Sequence, residues 1–313
     1  MDWLIVALVA YFILALANLL DKFLVEKILA SARAYTFMAS VMGLLIFAIA
    51  PWFLNWPGWL NFFFNIFLGF LFSLALFFLY AALRKGEASR VLVIVGGSTP
   101  VFSAPLALII LKDALSFEQV LAICFLLIGL LFLFFLPKTK KNFWEKLWQH
   151  WSIENNFSQK AVYLALLSGF VYALFFVGSK FAYIEQDFLS AFLWTRLGAA
   201  LFAAFFLFSR KARQEIIKLF RRKPGNSKKQ LLLVFNQSLG AIGFILQNYA
   251  IFLGPVALVN ALQGVQYAWI IILSTLISIF APKIFKEDLS KNILLQKILA
   301  VIIISVGLYI LII

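Results

Sequence analysis

Apolar blocks of about 18 to 22 residues alternate along this chain with short polar islands, and each block is long enough to cross a roughly 30 Å hydrocarbon layer as a helix. They are too long for barrel strands, which need only about 9 to 11 residues. Ten blocks begin near Leu4, Tyr35, Leu60, Ser89, Phe117, Ala161, Phe188, Leu231, Val256 and Ile293. Two polar segments interrupt them, Pro137 to Gln159 and Ser209 to Gln230, and neither is large enough to bury a core of its own. Between the second and third blocks, Trp52, Trp56 and Trp59 flank Pro57 in an uncharged stretch that reads as an interfacial aromatic belt.

The pattern occurs twice. The stretch from Tyr80 to Ser116 returns in looser form from Tyr249 to Ser290: Tyr80-Ala81 is echoed by Tyr249-Ala250, Gly86 by Gly254, Val91 by Val259 and Gly96 by Gly264. The run Lys112 to Ser116 is echoed by Lys286 to Ser290, and Phe12, Ala15, Leu16, Lys22 and Phe23 recur 158 positions later as Phe170, Ala173, Leu174, Lys180 and Phe181. Each copy holds five blocks, and two copies of an odd-span unit lie upside down relative to one another in a membrane. The expected architecture is an all-α integral membrane protein whose ten transmembrane helices form two inverted five-helix repeats, residues 1–137 and 160–313, joined by a cytoplasmic linker at 138–159.

Composition agrees: 64% of residues are hydrophobic and 13% charged, against roughly 25% charged in soluble domains, and the mean hydropathy is +1.00. The net charge of +14 is an orientation signal. All Lys and Arg except Lys112, Lys180 and Arg196, 24 of 27, fall in the first, third, fifth, seventh and ninth loops. Those loops are expected in the cytoplasm and both termini outside, in a multi-pass protein of the cell (plasma or inner) membrane. Basic residues of the 209–230 loop are placed to meet anionic lipid headgroups; the loop is too short and too poor in aromatics to read a nucleic acid. The N-terminus lacks a basic flank and a cleavage site, so the first block reads as a retained span. The single cysteine, Cys124, lies inside an apolar block and is expected to serve packing.

Polar groups within hydrocarbon are costly and so carry the functional reading. Arg196 lies about eight residues, roughly 12 Å, into the seventh block. It reads equally as a contact for a substrate carboxylate or phosphate, helped by Lys180, and as a structural partner of Glu185 or Asp187. In the eighth block Asn236, Gly240, Gly243 and Gln247 share one helical face, which packing explains best for the glycines. In the ninth, Asn260, Gln263 and Tyr267 recur at helical spacing beside Gln266 and Trp269, a combination that can hydrogen-bond and stack on an organic solute. The fourth block contributes Gly96, Gly97, Ser98, Thr99, Pro100 and Ser103, read as a close helix crossing or a proline kink. Asn18 is the polar residue of the first block, with Asp21 and Lys22 at its end. The predicted hydrocarbon centre holds no Asp or Glu, which leaves proton coupling through a buried carboxylate without a residue.

Ala82 to Ser89 reads A-L-R-x-G-x-A-S; Lys112 to Ser116 reads K-D-x-L-S; the fifth block carries Gly129 followed by two leucines. With Gly254-Pro255, Lys286 to Ser290 and Gly307-Leu308 in the second half, this order of motifs resembles the EamA-type repeat of the drug/metabolite transporter superfamily. The resemblance covers essentially the whole chain. It implies a secondary transporter or facilitator of small organic metabolites, amino-acid-like or similar polar solutes, working by alternating access between the repeats. Two features depart from the resemblance: many members keep both termini in the cytoplasm, and the Arg often found early in the second span of a repeat occurs once, as Arg196, with Met38 at the matching position of the first half. No cofactor or metal is expected; the partners are a small-molecule substrate and membrane lipids. The alternatives are a non-transporting membrane scaffold and, less well supported, a membrane-embedded enzyme acting on lipid-linked substrates. The enzyme would need paired acids or a metal set, and the chain has one histidine, His150, in the linker.

Overall fold

Each of the ten apolar blocks coincides with helix in the computed structural model, which describes residues 2–25, 31–85, 88–134, 159–220, 227–280 and 291–312. In chain order these are α1 (Asp2–Val25), α2 (Ala32–Met42), continued by a 3-10 stretch Gly43–Ile49 into the short α3 (Ala50–Phe53), α4 (Trp59–Leu83), α5 (Ala88–Ile110) and α6 (Phe117–Phe134). The second half runs α7 (Gln159–Glu185), α8 (Phe188–Ala204), α9 (Arg210–Phe220), α10 (Ser227–Leu253), α11 (Val256–Ala261), α12 (Gln263–Phe280) and α13 (Lys291–Ile312). Among the described residues, six stretches are long and apolar enough to cross a membrane: Asp2–Leu20, Ala32–Phe53, Trp59–Leu83, Gln159–Glu185, Phe188–Phe208 and Val256–Ile277. Shorter apolar helices cover Ile94–Ile110, Phe117–Leu131 and Ile298–Ile310. The 138–158 part of the linker with His150, the repeated run Lys286 to Ser290, Gly86 and the side chains of Asp21 and Lys22 lie outside the described residues.

Local chemistry sets the helix ends. Between α5 and α6, Lys112 takes a left-handed φ of 56°. The Leu111 N–H reaches the Ala107 carbonyl at 2.9 Å and the Asp113 N–H the same oxygen at 3.4 Å, so the helix closes on itself. Ser116 and Gln119 then form a reciprocal capping box that opens α6: the Gln119 N–H donates to Ser116 Oγ at 3.3 Å and the Ser116 N–H to Gln119 Oε1 at 3.0 Å. The K-D-x-L-S run is thus a helix stop followed by a helix start. Gly58, at φ 83°, turns the chain into α4.

Helices from the two halves pack on each other. α1 lies along α10, α4 along both α7 and α8, α5 along α7, and α6 along α13. Glycines set the closest approaches. A Cβ on Gly129 would strike Ile304, and one on Gly307 would crowd Leu126, so α6 and α13 meet reciprocally. Gly243 of α10 receives Leu14 of α1, and Gly178 of α7 receives Leu68 of α4. The face of α10 with Gly243 is therefore a packing seam, as its spacing indicates.

The ninth block tightens at one residue: α11 ends at Ala261 and α12 starts at Gln263, while Leu262 between them keeps right-handed helical angles and its N–H reaches the Leu258 carbonyl at 3.1 Å. One sequence expectation needs correction. Cys124 is exposed, on the outer surface of α6, where it contributes nothing to the core.

Candidate functional site

Asp187 opens α8 by accepting the Ser190 N–H at 3.0 Å, which fixes where the helix starts and hence how deep Arg196 lies. α8 then crosses α4 at backbone contact, because a Cβ on Gly69 would fall on the Thr195 carbonyl and one on Gly198 on the Ile66 backbone. One turn beyond Gly69, Phe72 covers the guanidinium. Arg196 Cζ is 4.1 Å from the Phe72 ring centroid, 4.8 Å from those of Phe192 and Phe244, and 5.9 Å from that of Phe175. Four helices, α4, α7, α8 and α10, thus supply an aromatic cage for one cation. Arg196 is only 5% exposed, and its Nε and Nη2 have no hydrogen-bond partner. Among the described residues no carboxylate pairs with it: Asp187 caps its own helix and Glu185 is exposed. Cation–π attraction of about 2 kcal/mol for a desolvated site falls short of the several kcal/mol that burying an ion costs. A hydrogen-bonded anion at the Nε and Nη2 edge would offset that cost.

Lys180 is engaged elsewhere. Its Nζ donates to the Phe252 carbonyl at 2.8 Å, holding the C-terminal turn of α10 to α7.

A second polar region joins α1, α10 and α11. Gln247 Nε2 donates to Tyr11 Oη at 3.2 Å, and Tyr11 Oη donates to the Val259 carbonyl at 2.7 Å. Next to Val259, Asn260 is 1% exposed, and neither Nδ2 nor Oδ1 has a hydrogen-bond partner. On α10, one residue past Gln247, Asn248 accepts from Tyr183 Oη of α7 at 3.1 Å. After the Leu262 turn, Gln263 and Tyr267 meet Gly96 of α5: a Cβ there would lie 3.2 Å from Tyr267 Cε2 and 3.3 Å from Gln263 Cδ. The Tyr267 hydroxyl donates to the Leu92 carbonyl at 3.2 Å.

Arg196, Gln247, Asn260, Gln263 and Tyr267 are therefore held at interfaces between helices of the two halves, and Asn236 is buried on α10. The other expected residues have different surroundings. Trp269 packs edge-to-face on Phe12 of α1 at 5.0 Å. Ser98 donates to its own helix at Val95 and lies against Gly169 in the α5–α7 seam. Asn18 is exposed on α1. Sequence reasoning missed Tyr11, which links three helices, and the cage phenylalanines. A tyrosine inside an apolar block was a usable signal. Four phenylalanines among 37 were not.

The model of the EamA-like transporter family matches residues 1–135, which span α1 to α6. A solved crystal structure of a protein is similar over 99% of this chain and 96% of that one, with a TM-score of 0.66 at 14% sequence identity, a likeness of fold alone. A search of curated proteins finds no match. Over residues 1–135 the chain is thus similar to the EamA-like transporter family, part of the drug/metabolite transporter superfamily, and its helices are those of a multi-pass membrane protein.

Proposed function

We propose that the protein is a secondary transporter or facilitator that moves a small organic metabolite across the cell membrane by alternating access between two inverted five-helix halves, residues 1–137 and 160–313. The observation that carries this reading is that Arg196 and Asn260, both at interfaces between the halves, are buried with two polar atoms each unpartnered. Polar atoms without partners in a hydrocarbon-spanning protein are expensive, and a solute that binds there supplies what they lack. The inverted arrangement is supported by the reciprocal pairing of α1 with α10 and α4 with α7, and of α6 with α13 through Gly129 and Gly307. Gln263 and Tyr267, facing Gly96 beyond the turn residue Leu262, form a further wall of the solute's path.

The test is uptake and efflux by the purified protein in proteoliposomes over a panel of organic acids, amino acids and nucleosides. Flux of at least one solute is expected, reduced tenfold or more by Asn260→Ala and by Gln263→Ala. An absence of flux across the panel, with the protein correctly inserted, overturns the reading.

A further inference from the structure

We propose that the solute recognised at Arg196 is an organic monocarboxylate with an apolar, preferably aromatic, body and no charged amine; this deepens the site assigned above and rests on that reading. The two unpartnered nitrogens, Nε and Nη2, are not an arbitrary pair. They lie along one edge of the planar guanidinium, and their N–H bonds run parallel, the fork that matches the two oxygens of a carboxylate. Both nitrogens are buried and neither is hydrogen-bonded, so a carboxylate admitted to this edge would meet a ready bidentate fork.

The surroundings narrow the ligand. The guanidinium is enclosed by Phe72, Phe175, Phe192 and Phe244, which offer ring faces to the body of a ligand and no hydrogen bonds. One cation balances one negative charge, so a dianionic phosphate would be left half-compensated in an apolar cage. An α-ammonium would need an acid. Of the six acidic residues with described side chains, Asp2, Asp113, Glu118, Glu185 and Asp187 lie in turns or within a few residues of helix ends, and Glu215 lies on α9 bonded to Ser31, so none is on the middle of α8 where Arg196 sits. A cationic group beside Arg196 would instead meet like charge.

Isothermal titration of the purified full chain in detergent with phenylacetate, phenylacetamide, phenylalanine and phenyl phosphate decides the matter. Phenylacetate is expected to bind at least tenfold more tightly than each of the others, and Arg196→Gln to abolish the difference between acid and amide. Phe72→Leu is expected to reduce the preference for phenylacetate over butyrate while keeping both above the amide. Equal binding of phenylacetate and phenylacetamide to the native protein overturns the inference, even if Arg196→Gln does not fold. Tighter binding of phenylalanine or phenyl phosphate overturns the ligand class, and no phenylacetate binding at millimolar concentration overturns the site. The transport reading fails separately: Arg196-dependent phenylacetate binding without flux in proteoliposomes removes the transporter and leaves the site, whereas flux of a neutral solute without phenylacetate binding does the reverse.

Discussion

At the scale of the residue, Arg196 is in tension between stability and function. Its guanidinium is desolvated by four phenylalanines with one hydrogen-bonding edge unmet. Methionine fills similar volume, and its sulfur packs well on aromatic rings. Arg196→Met is therefore expected to raise the unfolding free energy by about 1 to 3 kcal/mol while abolishing anion binding, a split that thermal melts and titration measure together. Tyr11→Phe works in the opposite sense. It strips the Val259 carbonyl and the Gln247 amide of a buried partner and is expected to cost about 1 to 3 kcal/mol. A third residue-scale effect lies at Lys112, whose left-handed φ of 56° disfavours a side chain. Lys112→Gly is expected to raise the melting temperature by an amount equivalent to about 1 kcal/mol.

At the scale of the element, glycines decide which helices can touch. α4 and α8 cross so closely at Gly69 and Gly198 that an added Cβ would land on backbone atoms of the facing helix, which cannot turn aside. Gly69→Ala and Gly198→Ala are each expected to destabilise by about 3 kcal/mol and to misplace Phe72 over Arg196. Gly97 is the internal control, because a Cβ there meets only Leu130 Cδ2 at 3.7 Å, an ordinary contact. Gly97→Ala is expected to shift stability by less than about 1 kcal/mol, as read in parallel melts. Small residues in the chain marked close crossings, but not which glycine was critical: that depends on what the neighbouring helix presents, backbone at Gly198 and a movable side chain at Gly97.

At the scale of the whole molecule, orientation follows from charge. The concentration of Lys and Arg in alternate loops predicts both termini on the extracytoplasmic side. In a Cys124→Ser background, single cysteines placed at either terminus should react with a membrane-impermeant maleimide in intact cells, and labelling only after permeabilisation would reverse the assignment. α9 is consistent with a position outside the hydrocarbon. It buries Ala212 and Ile216 against α2, exposes Arg210, Lys211 and Arg213, and is tied to the start of α2 by a 2.5 Å hydrogen bond from Ser31 Oγ to Glu215 Oε2.

The sequence by itself determined the helical membrane class and the helix positions, because a block of about 20 apolar residues between charged islands has one stable solution in a bilayer. It also determined that Arg196 and the amides of the last spans were the residues to examine, since polar groups in such blocks are few. Only the tertiary structure decided what each of them meets. Asp187 was near Arg196 in sequence yet serves its own helix, Lys180 binds a helix end, and the cage comes from phenylalanines on four different helices. The tightening of the ninth span at Leu262 likewise left no trace in the periodicity. Contacts between residues more than 100 positions apart are set by how helices cross, and a local pattern in the chain carries no term for that.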